Sequence, residues 1–156
     1  MRRILALPAL LIVAGCGSQA ATVWARPQTV RIGERPGCRG LAVAVSSLRI
    51  TGDGWTVSAS VENRSGRAVD VLRPHVHGGT YFGLAPPGVV HPGLLARRFT
   101  PPLPRRLEAG ARWSGSFTGL GRVASGVPLR VVLGRFTPAG AVVGFVCTTD
   151  HSVRLY

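Results

Sequence analysis

Lysine is absent from this 156-residue chain, and every one of its 19 basic residues is Arg. Acidic residues number only six: Glu34, Asp53, Glu62, Asp70, Glu108 and Asp150. So few carboxylates leave little material for paired acid–base catalysis, which needs two titratable groups converging on one bond. Methionine occurs once, at position 1, so a methionine-rich copper carrier is excluded. No nucleophile elbow, phosphate-binding P-loop or dinucleotide-binding glycine fingerprint occurs. No stretch of helical length keeps apolar residues at i, i+3 and i+4 without Gly or Pro intervening, so helices are not expected.

What is present is basic, small and β-prone. The formal charge is +13. One reading is a surface selected for acidic partners. The other is a GC-rich genome, whose codons favour Arg, Ala, Gly, Pro and Val together; the scatter of the Arg residues along the chain agrees with it. Nucleic acid is a poor partner, because no aromatic residues interleave with the Arg pairs for base stacking.

The sharpest signal is at the start. Met1, Arg2 and Arg3 make a positive n-region, and residues 4–14 are apolar apart from Pro8, too short for a permanent membrane span. Val13-Ala14-Gly15-Cys16 then resembles the lipobox of bacterial prolipoproteins: an aliphatic residue, two small residues and a cysteine. The resemblance implies that residues 1–15 are a signal peptide and that Cys16 becomes the first residue of the mature chain. Its sulfur would carry diacylglyceryl, with a palmitate-type acyl chain often added at the new amino terminus. Each buried methylene contributes about 0.8 kcal/mol, so two or more chains hold firmly to a bilayer. The implied location is the outer face of the bacterial plasma membrane, or the outer membrane where the source has one. The competing readings are an ordinary secretory signal with an incidental cysteine and an uncleaved anchor helix. Cleavage would remove Arg2 and Arg3 and leave 17 Arg against six acids, a formal +11.

Two cysteines remain, Cys38 and Cys147, and an even remainder in an oxidising compartment points to one disulfide. Two buried free thiols are the alternative. Residues 16–37, with Pro27, Gly33, Pro36 and Gly37, read as a lipid-anchored tether in which Val30 and Ile32 form at most a short extended piece. The domain is expected over residues 38–156.

Within it, Trp55, Val57, Ala59 and Val61 alternate with Thr56, Ser58, Ser60 and Glu62, the period of a strand with one buried face. Residues 41–50 are its expected partner across the turn Thr51-Gly52-Asp53-Gly54. Asn63-Arg64-Ser65-Gly66 is a second turn, leading into residues 68–72. Residues 112–119 alternate again, and residues 129–136 and 141–148 form an expected last hairpin. Short strands separated by turn residues predict an all-β, two-sheet sandwich. The stretch 55–66 and the segment Leu107-Glu108-Ala109-Gly110 are similar to parts of immunoglobulin-like domains in bacterial surface lipoproteins. That similarity implies an immunoglobulin-like sandwich; with few acids and no catalytic motif, the expected role is binding or envelope structure, without enzymatic activity or cofactor.

Three groups of side chains are chemical candidates. His75-Val76-His77 sets two imidazoles on one side of an extended segment, a spacing that binds copper or zinc if His91 folds nearby. The alternative is ordinary loop histidines. Residues 84–106 carry six of the twelve prolines and the pairs Arg97-Arg98 and Arg105-Arg106. They read either as a solvated excursion with a short edge strand or as a basic arm for an acidic envelope polymer, lipid head groups or a protein partner. A hydrolase would need dispersed residues, because Asp150, His151 and Ser152 are consecutive and their side chains diverge along a strand.

Overall fold

The computed structural model of the chain describes residues 21–71 and 81–156. Cys16, His75 and His77 lie outside the described residues. No helix occurs among the described ones. The strands are β1 (Gln28–Glu34), β2 (Gly37–Cys38), β3 (Leu41–Ile50), β4 (Gly54–Asn63), β5 (Val69–Val71), β6 (Phe82–Ala85), β7 (Leu94–Thr100), β8 (Arg106–Leu107), β9 (Arg112–Leu120), β10 (Pro128–Pro138), β11 (Phe145–Thr148) and β12 (Val153–Arg154). Every pairing between them is antiparallel.

β4 shows why the pattern folds as it does. Trp55, Val57, Ala59 and Val61 are buried, and Thr56, Ser58, Ser60 and Glu62 face outward. On its partner β3 the buried residues are Leu41, Val43 and Val45, then Leu48 and Ile50. The change from odd to even positions is absorbed by a bulge between Val45 and Ser47, where two residues oppose one and the inward face is restored. Ser46 donates its hydroxyl to the Ser58 carbonyl at 3.1 Å beside the bulge.

One layer is β1-β3-β4-β9-β7. In the other, β10 is central. β5 and β6 lie end to end along one side of β10, opposite Phe136–Pro138 and Arg130–Leu133 respectively. β11 and β12 lie end to end along the other side. β7 belongs to both layers: Leu94 and Leu95 pair with β6, and residues 96–100 pair with β9. The order β3-β4-β9-β7 over β5/β6-β10-β11 matches the four-plus-three arrangement of immunoglobulin constant-type sandwiches, with β1 and β2 added outside β3.

Aromatic rings fill the space between layers. Phe82 meets Phe99, Phe117 and Phe136 at centroid distances of 5.1, 5.4 and 6.2 Å, all edge-on, and Trp55 meets Phe117 edge-on at 6.1 Å. These geometries suit the ring quadrupoles and lock residues of both sheets into one core. Gly119 is small for a reason: a Cβ there would stand 2.2 Å from Cζ2 of the Trp55 ring.

β7 closes one side of the sandwich by hydrogen bonding. The other side is closed by different means. Cys38 on β2 and Cys147 on β11 form a disulfide, with Cα atoms 5.9 Å apart. Farther along the same seam, Glu34 accepts the backbone N–H groups of Asp150 and His151, and Gln28 donates its amide to the Tyr156 carbonyl at 2.6 Å.

Three expectations need correction. Residues 28–37, read as tether, hold strand β1 and the start of β2, both paired to β3, because Val30 and Ile32 pack against the core and draw the segment into the sheet. Trp24 and Ala25 also join the fold, through a bridge to Ala124 and a bond to the Val123 carbonyl. Residues 84–106 are not one excursion. They contain β7, an interior strand between β6 and β9, and the prolines flank it instead of interrupting it. Finally, the return strand of the last hairpin begins at Phe145; Val142 and Val143 stand exposed in the turn.

Candidate functional site

Among the described residues, Arg31, Glu34, Arg35, Asp150 and His151 gather on the seam between β1 and the β11–β12 connection. A surface groove of about 570 Å³ opens there, lined by Arg31, Glu34, Arg35, Asp150, His151 and Ser152 among others. β1 presents Glu34 toward the seam because its alternation places Val30 and Ile32 on the core side. One oxygen of Glu34, Oε1, accepts both backbone N–H groups and lies 3.4 Å from Nδ1 of His151. The Glu34 side chain is 12% exposed and that of His151 88% exposed. The carboxylate therefore acts as a clasp on the chain turn, and the imidazole is a solvated neighbour. Ser152 makes no hydrogen bond to His151 among the described residues, so acid, imidazole and hydroxyl do not form a relay.

A second groove, of about 320 Å³, lies on the outer face of the first layer, between Arg35, Ala42, Ala44, Ser60, Glu62 and Arg112. Small outward residues on β3 and β4 make its floor flat. Glu62 is gripped by Arg64, whose Nε and Nη2 donate to the two carboxylate oxygens at 2.9 and 3.1 Å. That hydrogen bonding, with the nearby charges of Arg64 and Arg112, holds the Glu62 carboxyl below its ordinary range, and the same hydrogen bonding with the charge of Glu62 raises Arg64. The groove has the sign and openness for a solvated anion but encloses nothing.

The four arginines singled out by sequence do not form one arm. Arg97 and Arg98 stand exposed on β7, where a bulge between Ala96 and Arg98 sets both toward solvent. Arg105 and Arg106 belong to the crossing into the second layer, where Arg106 pairs with Asp70 across β5–β8. Arg106 is engaged by Glu108 at 3.1 Å and Asp70 at 3.9 Å, so its charge is partly met within the fold. His91 is exposed in the connection between β6 and β7, its ring 5.2 Å from that of Tyr81.

No family model, curated protein or solved structure matches this chain. The reading of the site therefore rests on its own residues.

Two residues that carry structure were not visible as such in sequence. Asn63 is fully buried, and its amide donates to the carbonyls of Arg67, Leu107 and Glu108 while its oxygen accepts from the backbone and hydroxyl of Ser65. It fastens the turn after β4 to the turn before β9. Glu34 is the other. An Asn opening a turn, two residues before a Ser, is the one local signal for the first. Nothing local signals the second, whose partners are 116 and 117 residues away.

Proposed function

We propose that this chain is an exported lipoprotein, held to a membrane's outer face by lipid on Cys16, whose domain serves in binding or envelope structure and not in catalysis. The observation that carries the reading is the run Val13-Ala14-Gly15-Cys16 behind a basic start and a short apolar stretch. Cysteine usage supports it, since the Cys38–Cys147 bond accounts for the other two thiols and leaves Cys16 for a separate chemistry. Exposed Arg97, Arg98 and Arg105 give the surface its preference for acidic partners, whether an envelope polymer, lipid head groups or a protein. The test is expression in a bacterial host with a clickable fatty acid. The wild-type chain incorporates the label and loses residues 1–15, and Cys16→Ser does neither. Label in the Cys16→Ser chain, or an unmodified thiol at the wild-type amino terminus, refutes the proposal.

One observation favours a second reading, a copper or zinc site. His91 lies against Tyr81, four residues beyond His77 of the His75-Val76-His77 run. Metal titration of the wild type against His75→Ala/His77→Ala decides it: equal binding, or none in either, removes the site.

A further inference from the structure

Nine large apolar side chains are exposed among the described residues, and they are not scattered. Seven of them, Val23, Trp24, Val89, Val90, Leu120, Val127 and Tyr156, gather at one end of the sandwich; Val142 and Val143 occupy the β10–β11 turn. The strand register puts the seven together. Leu120 ends β9 opposite Gly54, at the β3–β4 turn, and β10 begins beside the last residues of β12. Ala85 ends β6 opposite Arg130, so the 86–93 connection emerges at the same end. The incoming chain and the carboxyl terminus are tied there by backbone bonds from Ser125 to Val23, Ala25 to Val123 and Gly126 to Leu155, at 2.8, 2.8 and 2.7 Å.

The chemistry of this end is specific. Trp24 and Tyr156 are amphipathic rings of the kind that settle at the boundary between head groups and acyl chains, and the valines and Leu120 supply apolar depth. Arg26, Arg122 and Arg154 are exposed around them, and the Arg122 guanidinium lies 5.5 Å over the Trp24 ring. Asp53 is the one acidic residue in these connections among the described residues. Aromatic rings, aliphatic tips and a surplus of arginine complement an anionic phospholipid surface, where each basic group near the plane adds to attraction.

We propose that this end docks directly onto the phospholipid bilayer, so that the sandwich stands on the membrane with the β10–β11 turn pointing away. The proposal rests on the lipid-anchor reading for its geometry: Cys16 precedes Val23 by seven residues, a reach of about 25 Å at most when extended. Such a short link delivers this end, and not the opposite one, to the membrane.

The test uses the full processed chain, its acyl mass verified by intact mass spectrometry, in vesicles of phosphatidylglycerol and phosphatidylcholine. Trp55 and Trp113 are buried, so the difference in emission between wild type and Trp24→Phe isolates Trp24. Docking predicts quenching of that difference by bromine on the acyl chains and shielding from aqueous iodide. Quenching by iodide alone, in protein whose acyl mass is correct, overturns the proposal and leaves the anchor standing. A wrong acyl mass is instead a failure of the anchor. In a chain that begins at residue 17, without the lipidated cysteine or the apolar 4–14 stretch, retention by the same vesicles measures docking without the anchor. Retention falls about fivefold for each of Arg26→Gln and Arg122→Gln, and also falls in Leu120→Asp. Retention indifferent to all three, or self-association that Leu120→Asp abolishes in the absence of vesicles, assigns the face to another occupant and refutes bilayer docking.

Discussion

Reducing the Cys38–Cys147 bond should lower the melting midpoint by more than any single core truncation. The cysteines are 109 residues apart, so the bond encloses most of the folded chain. In the chain-entropy treatment, a closed loop of this length removes about 16 cal/mol/K from the unfolded ensemble, worth about 4.8 kcal/mol at room temperature. Unfolding a domain of roughly 135 residues carries an entropy of about 0.28 kcal/mol/K, so the loss converts to about 17 °C in the midpoint. Calorimetry of the purified protein with and without a phosphine reductant measures it, with alkylation to prove that both thiols are free. Cys38→Ala/Cys147→Ala should reproduce the reduced value. Urea titration adds an independent check: the reduced chain expands further on unfolding, so its denaturant slope rises. If both thiols are alkylated and the midpoint moves by less than about 3 °C, loop closure is not what the bond contributes, and the reasoning from chain entropy fails.

Other perturbations reach different parts of the fold. Asn63→Ala strands the buried carbonyl of Leu107 and frees the partly buried one of Glu108, and should cost about 1–3 kcal/mol, read by denaturant unfolding. Gly119→Ala puts a methyl into the Trp55 ring and should cost about 1–3 kcal/mol, with a changed near-ultraviolet tryptophan signal; an unchanged signal contradicts the packing described here. Glu62, its carboxyl lowered chiefly by the hydrogen bonds from Arg64, contributes stability above the ordinary Glu range that is lost as pH falls through the lowered value. Because the pair is solvent-exposed, Arg64→Ala should leave the midpoint at neutral pH within error while carboxyl NMR shows Glu62 returning upward toward its ordinary range.

What sequence could and could not show follows from where each residue's partners are. The β4 alternation and the 51–54 turn were legible because their physics is local: buried and exposed side chains two apart, and glycine in a tight reversal. The cysteine pair was legible by arithmetic and compartment. β1 was not, because Gln28–Glu34 is an edge strand with only half-buried apolar residues, so its apolar period is weak. β7 was hidden by the prolines on both sides of it, which read as loop even though none lies inside the strand. The arginine pairs looked like one feature because they are close in sequence. The crossing between layers separates them, and Asp70 and Glu108 partly neutralise Arg106.

The two lateral closures of the sandwich bear on how such a domain avoids edge-to-edge association. A strand edge with free N–H and C=O groups invites pairing with another chain. Here β7 covers the outer side of β6, β8 covers that of β5, and β1 lies beside β12 across the seam. The seam has no continuous ladder. It is held at three points instead: the Gln28 amide on Tyr156, the Glu34 carboxylate on two backbone N–H groups, and the disulfide. Exposed Arg31 and Arg35 flank this line and discourage a foreign strand by charge. A ladder would need several regular residues on both strands, whereas β12 has two and β1 departs from regular pairing between Arg31 and Glu34. Three separate fastenings tolerate that irregularity, and the covalent one holds wherever the surroundings are oxidising. Losing Glu34 should therefore loosen the 149–152 turn locally while the rest of the sheet holds, whereas losing the disulfide weakens the whole cooperative unit, because only the disulfide constrains the unfolded chain.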